Sequence, residues 1–86
     1  MKLKSDFITH MTGEQQVMVS VNSKGFHGLV RSNKTAAAII DLLKREMTRV
    51  QIIAEMQKMY DVSEEQIAGD VDSVLENLRK IGALDE

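Results

Sequence analysis

Ser63-Glu64-Glu65-Gln66-Ile67-Ala68-Gly69-Asp70-Val71-Asp72-Ser73-Val74-Leu75-Glu76-Asn77-Leu78-Arg79-Lys80-Ile81-Gly82 is the stretch on which the reading of the fold turns. Ile67, Val71, Val74, Leu78 and Ile81 recur along it at intervals of three and four, the apolar stripe of an amphipathic helix. Ser63 and Gln66 have the spacing of a capping box, in which each side chain serves a backbone N–H that the helix start leaves unpaired. Val62 and Ile67 flank that box as a hydrophobic staple. At the other end Gly82 suits the position just past a helix, and Arg79 and Lys80 suit the negative end of its dipole. Leu84 can then fold back as a plug. Gly69 costs about 1 kcal/mol relative to alanine in a helix interior. It reads either as tolerated on an exposed face or as admitting a second backbone.

Working outward, Thr48-Arg49-Val50-Gln51 is another capping box, with Met47 and Ile52 as its staple. The helix it opens is expected to bury Ile53, Met56 and either Tyr60 or Met59. Only Asp61-Val62 separates it from the next helix, a helix-turn-helix spacing. Ahead of it Ala36, Ile40, Leu43 and Met47 form a further stripe, with Ser32 or Asn33 as N-cap candidates.

Before Arg31 the period changes to two. Val17, Val19 and Val21 alternate with Met18 and Ser20, a half-buried strand, and Phe7 to Met11 is a weaker one. Thr12-Gly13-Glu14 and Asn22-Ser23-Lys24-Gly25 supply turns, after which Phe26 to Arg31 reads as a third strand. The expected fold is therefore α+β and winged-helix-like. A three-stranded antiparallel sheet (about 6–31) precedes three helices (about 33–82), in the order βββααα, as one domain spanning 1–86.

Composition narrows the function. With 86 residues the chain has room for one compact core. It has no cysteine, so a disulfide framework, a thiolate metal site and a cysteine nucleophile are excluded. The longest apolar run, Ala36 to Ile40, falls far short of the roughly 20 residues of a membrane span. No apolar segment follows the first lysines as a secretory signal would require. A cytoplasmic protein is expected. His10 and His27 are the only imidazoles, and neither belongs to a recognisable catalytic or metal-binding spacing. Gly25-Phe26-His27-Gly28 lacks the pattern of a phosphate loop. An enzyme is not expected, and no cofactor is implied.

Net charge is −2, and only three aromatics are present (Phe7, Phe26, Tyr60). Both features disfavour nucleic acid, which needs basic surface or stacking platforms. A DNA-reading second helix would also be the one bearing Glu64, Glu65, Asp70, Asp72 and Glu76. A peptide module fits better, because an exposed sheet edge accepts an extended peptide as an added strand. Gly28 would allow close approach of a second backbone. Leu75 falls at the border of the last helix's stripe, and Ala68, Asp72 and Arg79 share that flank, which could wall a groove beside the strand. Alternatively, Leu75 simply widens the core stripe. The competing readings are a helix-turn-helix DNA-binding regulator and a generic protein-interaction winged helix. The same free edge also permits a homodimer.

From about Leu29 onward the sequence resembles the PqqD-like family, also called the RiPP recognition element. Asn33-Lys34-Thr35-Ala36-Ala37 with Ile40 and Leu43 carries the resemblance, followed by Thr48 to Ile53. Tyr60-Asp61-Val62-Ser63, Asp70-Val71, Leu75, Leu78 and Ile81-Gly82-Ala83-Leu84 complete it. The resemblance implies a non-catalytic chaperone that binds the leader of a ribosomally made precursor peptide beside the third strand and against the third helix. On the strand it points to Phe26, His27, Gly28, Leu29, Val30 and Arg31; on the helix, Ala68, Asp72, Leu75 and Arg79 follow from the flank described above. The implied partner is a modifying enzyme, typically a radical SAM maturase. Members from the pyrroloquinoline-quinone pathway tend to carry a proline-containing segment among the strands and a tryptophan near the C-terminus. This chain has neither residue type, and Ser32 stands where a leucine commonly precedes the asparagine.

Overall fold

The computed structural model describes residues 1–13, 15–20 and 29–86, with residues 29–31 described by their backbone. Strands β1 (Lys2–Leu3), β2 (Phe7–Thr12), β3 (Gln15–Ser20) and β4 (Leu29–Ser32) precede helices α1 (Lys34–Leu42), α2 (Arg49–Met59) and α3 (Glu64–Lys80). A final strand, β5 (Leu84–Asp85), closes the chain. The α+β class follows, with two short strands more than the sequence pattern suggests. β2, β3 and β4 form an antiparallel sheet in that order, and β1 pairs with β5. The second turn, Val21 and Phe26 to Gly28 lie outside the described residues.

The β2–β3 hairpin is set by its turn. Thr12 pairs with Gln15, leaving two residues between them, and Gly13 has φ 63°, a conformation that glycine takes without a Cβ penalty. Directly opposed residues share a face of the sheet. Phe7, Gln16 and Met18 are buried against the helices, whereas Val17 and Val19 are half-buried on the other face, opposite His10 and Ile8. The valines therefore mark a strand but not its inner face. Val-Met-Val is apolar in both parities, and Met18 takes the core side. Gln16 joins it, its Nε2 donating to Asp41 Oδ1 of α1 at 2.9 Å, which offsets only part of the cost of burying the amide, because its Oε1 is buried without a hydrogen-bond partner.

Each helix begins where its cap lies. Asn33 accepts from the Ala36 N–H at 2.8 Å and starts α1. Thr48 accepts from the Gln51 N–H while its own N–H donates to Gln51 Oε1, the full capping box of α2. Ser63 accepts from the Gln66 N–H and starts α3. The extended Thr48 backbone needed by that box breaks the first stripe early. α1 stops at Leu42, and Met47 is buried as the staple residue of α2 instead. Met59 and Tyr60 are exposed, contrary to the sequence expectation. Tyr60 has already left the helix with φ −129° and ψ 141°, which turns it from the core.

Ile39, Ile40, Leu43, Ile52, Met56, Ile67, Val71, Leu75 and Leu78 meet Phe7 and Met18 in one core. Each such side chain contributes about 1.5–3 kcal/mol on leaving water. The terminal strands close the base of this core. Leu3 pairs with Leu84, the Leu3 N–H donates to Leu43 O at 2.8 Å, and the Lys4 N–H donates to Ala83 O at 2.8 Å. Leu84 is thus a plug held by a ladder. No helix among the described residues is long and apolar enough to cross a membrane.

Candidate functional site: a strand edge beside an apolar-floored groove

β4 pairs with β3 along one side only, with Val30 opposite Met18 and Ser32 opposite Gln16. On its other side no strand is present among the described residues. Such an edge leaves every second residue's N–H and C=O directed away from the sheet, free to pair with another extended chain.

Next to the end of this edge lies a groove of about 280 Å³. Ser32, Asn33, Ala36 and Ile40 form one side, and Ser73, Val74, Asn77 and Leu78 of α3 form the other. The sequence builds it simply. Asn33 ends the strand by capping α1, so the first turn of α1 is forced to rise beside α3. Ala36 is small enough to leave space there. Ile40 and Leu78 are nearly fully buried and give an apolar floor, Val74 is half-buried, and Asn33, Ser73 and Asn77 stay on the exposed rim.

The expected α3 flank lies elsewhere. At about 100° per residue, Ser73, Val74 and Asn77 occupy one side of the buried stripe, and Ala68, Asp72 and Arg79 the other. Asp72 is tied to α2: its Oδ1 accepts from Arg49 Nε at 2.6 Å and its Oδ2 from Arg49 Nη2 at 3.0 Å. That hydrogen bond holds the Asp72 carboxyl below its usual range. Arg79 reaches Glu86 beyond β5, with Nη2–Oε1 at 2.8 Å, and lowers the Glu86 carboxyl in the same way. Ala68 packs half-buried against the core. Leu75 is 1% exposed, a core residue, so the wider-stripe reading holds for it and it offers no groove wall. The structure thus brings Ser32 together with Ser73, Val74 and Asn77, and not with the four α3 residues expected from sequence.

A signal for the groove flank was present in the chain. Between Asp70 and Lys80, Ser73 and Asn77 are the exposed positions of α3 that carry no charge. Of the expected strand residues, Leu29, Val30 and Arg31 lie on β4 by their backbone, and Phe26, His27 and Gly28 lie outside the described residues. His10 is exposed on β2, and no group of three or more metal-ligating side chains occurs among the described residues.

Comparison with known proteins gives two kinds of result. The family model described as coenzyme PQQ synthesis protein D (PqqD) matches residues 15–84. No curated protein sequence matches the chain. Two solved structures share its fold. One is "TbiB1 in Complex with the TbiA(beta) Leader Peptide", with TM-score 0.81 and 15% identity, covering 99% of this chain and 95% of that one. The other is "Lasso peptide synthetase B1 complexed with the leader peptide", with TM-score 0.75 and 18% identity, covering 95% and 93%.

Proposed function

This chain belongs to the PqqD family, and we propose that it binds the leader of a ribosomally made precursor peptide and presents it to a modifying enzyme. The leader adds as a strand to the free edge of β4, along Leu29 to Ser32, and drops apolar side chains into the groove between α1 and α3. The observation that carries this reading is the juxtaposition of that edge with a groove whose floor is apolar and whose described lining residues carry no charge. Main-chain hydrogen bonds supply affinity without regard to sequence, and the groove supplies selectivity. That the two structural neighbours are each in complex with a leader peptide supports leader binding by this fold.

The chain's contribution is binding and orientation, with the chemistry left to its partner. A radical SAM maturase is the partner class the family resemblance implies, and the cytoplasm, where precursor peptides are made, is the place of action. A DNA-reading role is disfavoured by α3 itself, whose exposed Glu64, Glu65, Asp70, Asp72 and Glu76 would meet phosphates.

The test is the fluorescence anisotropy of a labelled leader peptide from a precursor encoded beside this gene. Ser73→Arg and Asn77→Arg, both at exposed positions, should weaken binding about tenfold each, the loss of roughly 1.4 kcal/mol of contact. Added salt should matter little unless the leader is highly charged. Unchanged affinity in both variants would refute the groove.

A further inference from the structure

The face of α3 that borders the groove carries a single charge. Gln66, Asp70, Val74 and Asn77 recur at intervals of four, four and three, so they share one side of the helix. Val74 and Asn77 line the groove, and Asp70 is the one ionised residue of that row. It is exposed, and its side chain forms no ion pair or hydrogen bond among the described residues. Its neighbours on the helix differ. Asp72 accepts two hydrogen bonds from Arg49, and Glu76 meets Lys80 at 3.7 Å. Lys34 opens α1 but lies about 160° round that helix from Ala36, which lines the groove. Arg31 pairs with Val17, in the register of the sheet's other face.

Helix order places Asp70 at the strand end of the groove. Leu43 follows α1 and Ala83 follows α3, and both meet β1: Leu43 O accepts from the Leu3 N–H and Ala83 O from the Lys4 N–H, each at 2.8 Å. The two helices therefore run side by side toward the same strand. The groove holds the start of α1 against Ser73, Val74, Asn77 and Leu78. Moving from Val74 back to Asp70 leads away from β1, to the side from which β4 enters Asn33.

Building on the leader-binding reading, we infer that Asp70 is a specificity-determining residue of this site. It pairs with a lysine or arginine of the leader, two residues from the apolar side chain seated in the groove. The two repeats set that spacing. An added strand turns every second side chain to the same face, and two of its residues span about 6.7 Å. The four residues from Val74 to Asp70 rise about 6 Å along α3. The next helix-facing side chain of the leader thus comes level with Asp70. A carboxylate there favours a cation and repels aspartate or glutamate, a selection that the apolar floor of the groove does not supply.

The test is fluorescence anisotropy of the leader of a precursor encoded beside this gene. Each lysine and arginine of that leader is changed in turn to glutamine and to glutamate, and each peptide is titrated with the unaltered chain, Asp70→Asn and Asp70→Lys. One basic residue, two positions from an apolar one, should on change to glutamine cost about threefold in affinity for the unaltered chain and nothing for Asp70→Asn. Its change to glutamate should cost about tenfold, and Asp70→Lys should recover that loss. Equal losses in the unaltered chain and Asp70→Asn, or a leader that binds without a basic residue at that spacing, would overturn the inference and leave leader capture standing. A leader that binds none of the three chains would overturn both.

Discussion

Leu75 is buried at the border of the α3 core face, 1% exposed, and truncating it removes buried methyl groups from the core. Leu75→Ala should lower stability by about 2–5 kcal/mol, read from urea denaturation. A result below 1 kcal/mol would place the residue on the surface after all. The Asp72–Arg49 and Arg79–Glu86 pairs act more weakly because all four groups are exposed. Their sign is nonetheless defined. Both carboxyls are held below their ordinary 3.8 and 4.5, so through that range the folded chain binds fewer protons than the unfolded one. The stability they add is fully present above about pH 4.5 and is lost as pH falls through the lowered values. Asp72→Asn should therefore reduce the urea midpoint slightly at neutral pH, with the difference from the unaltered chain vanishing in acid. A difference that grows in acid would contradict the pairing.

At the scale of elements, the helix starts were legible because caps are local chemistry. Asn33, Thr48 and Ser63 each act on an N–H three residues away, within reach of a sequence pattern. β1 and β5 were not legible, since two-residue strands carry no period and their pairing joins Leu3 to Leu84 across the whole chain. The inner face of β3 was hidden for another reason. Met18 and the flanking valines are all apolar, and the residue that settles the parity is the polar Gln16, whose partner Asp41 lies on another element. Gly69 resolves in favour of simple tolerance: a Cβ placed there meets nothing within 4 Å. Gly69→Ala should raise stability by roughly 0.5–1 kcal/mol through helix propensity. A loss of thermal stability instead would mean that another backbone uses the space.

For the whole molecule, the three-stranded sheet on three helices leaves β4 with no strand on its outer side among the described residues, and that is the edge proposed for the peptide. The class of site was legible, because three short strands cannot close a sheet. Which side of α3 would face the edge was not. It depends on how α2 packs, and the burial of Ile52, Ile53 and Met56 against α3 fixes that only in three dimensions, where Arg49 then meets Asp72. The charged flank turned to α2, and the quieter Ser73 and Asn77 were left beside β4.

The most direct measurement is isotope-filtered NMR of the labelled chain bound to an unlabelled leader peptide. Cross-strand contacts between the leader backbone and residues 29–32, with side-chain contacts to Val74 and Asn77, are the expected result. Leader contacts confined to the Ala68–Asp72–Arg79 flank, or salt-sensitive binding of duplex DNA without any leader contact to β4, would contradict it.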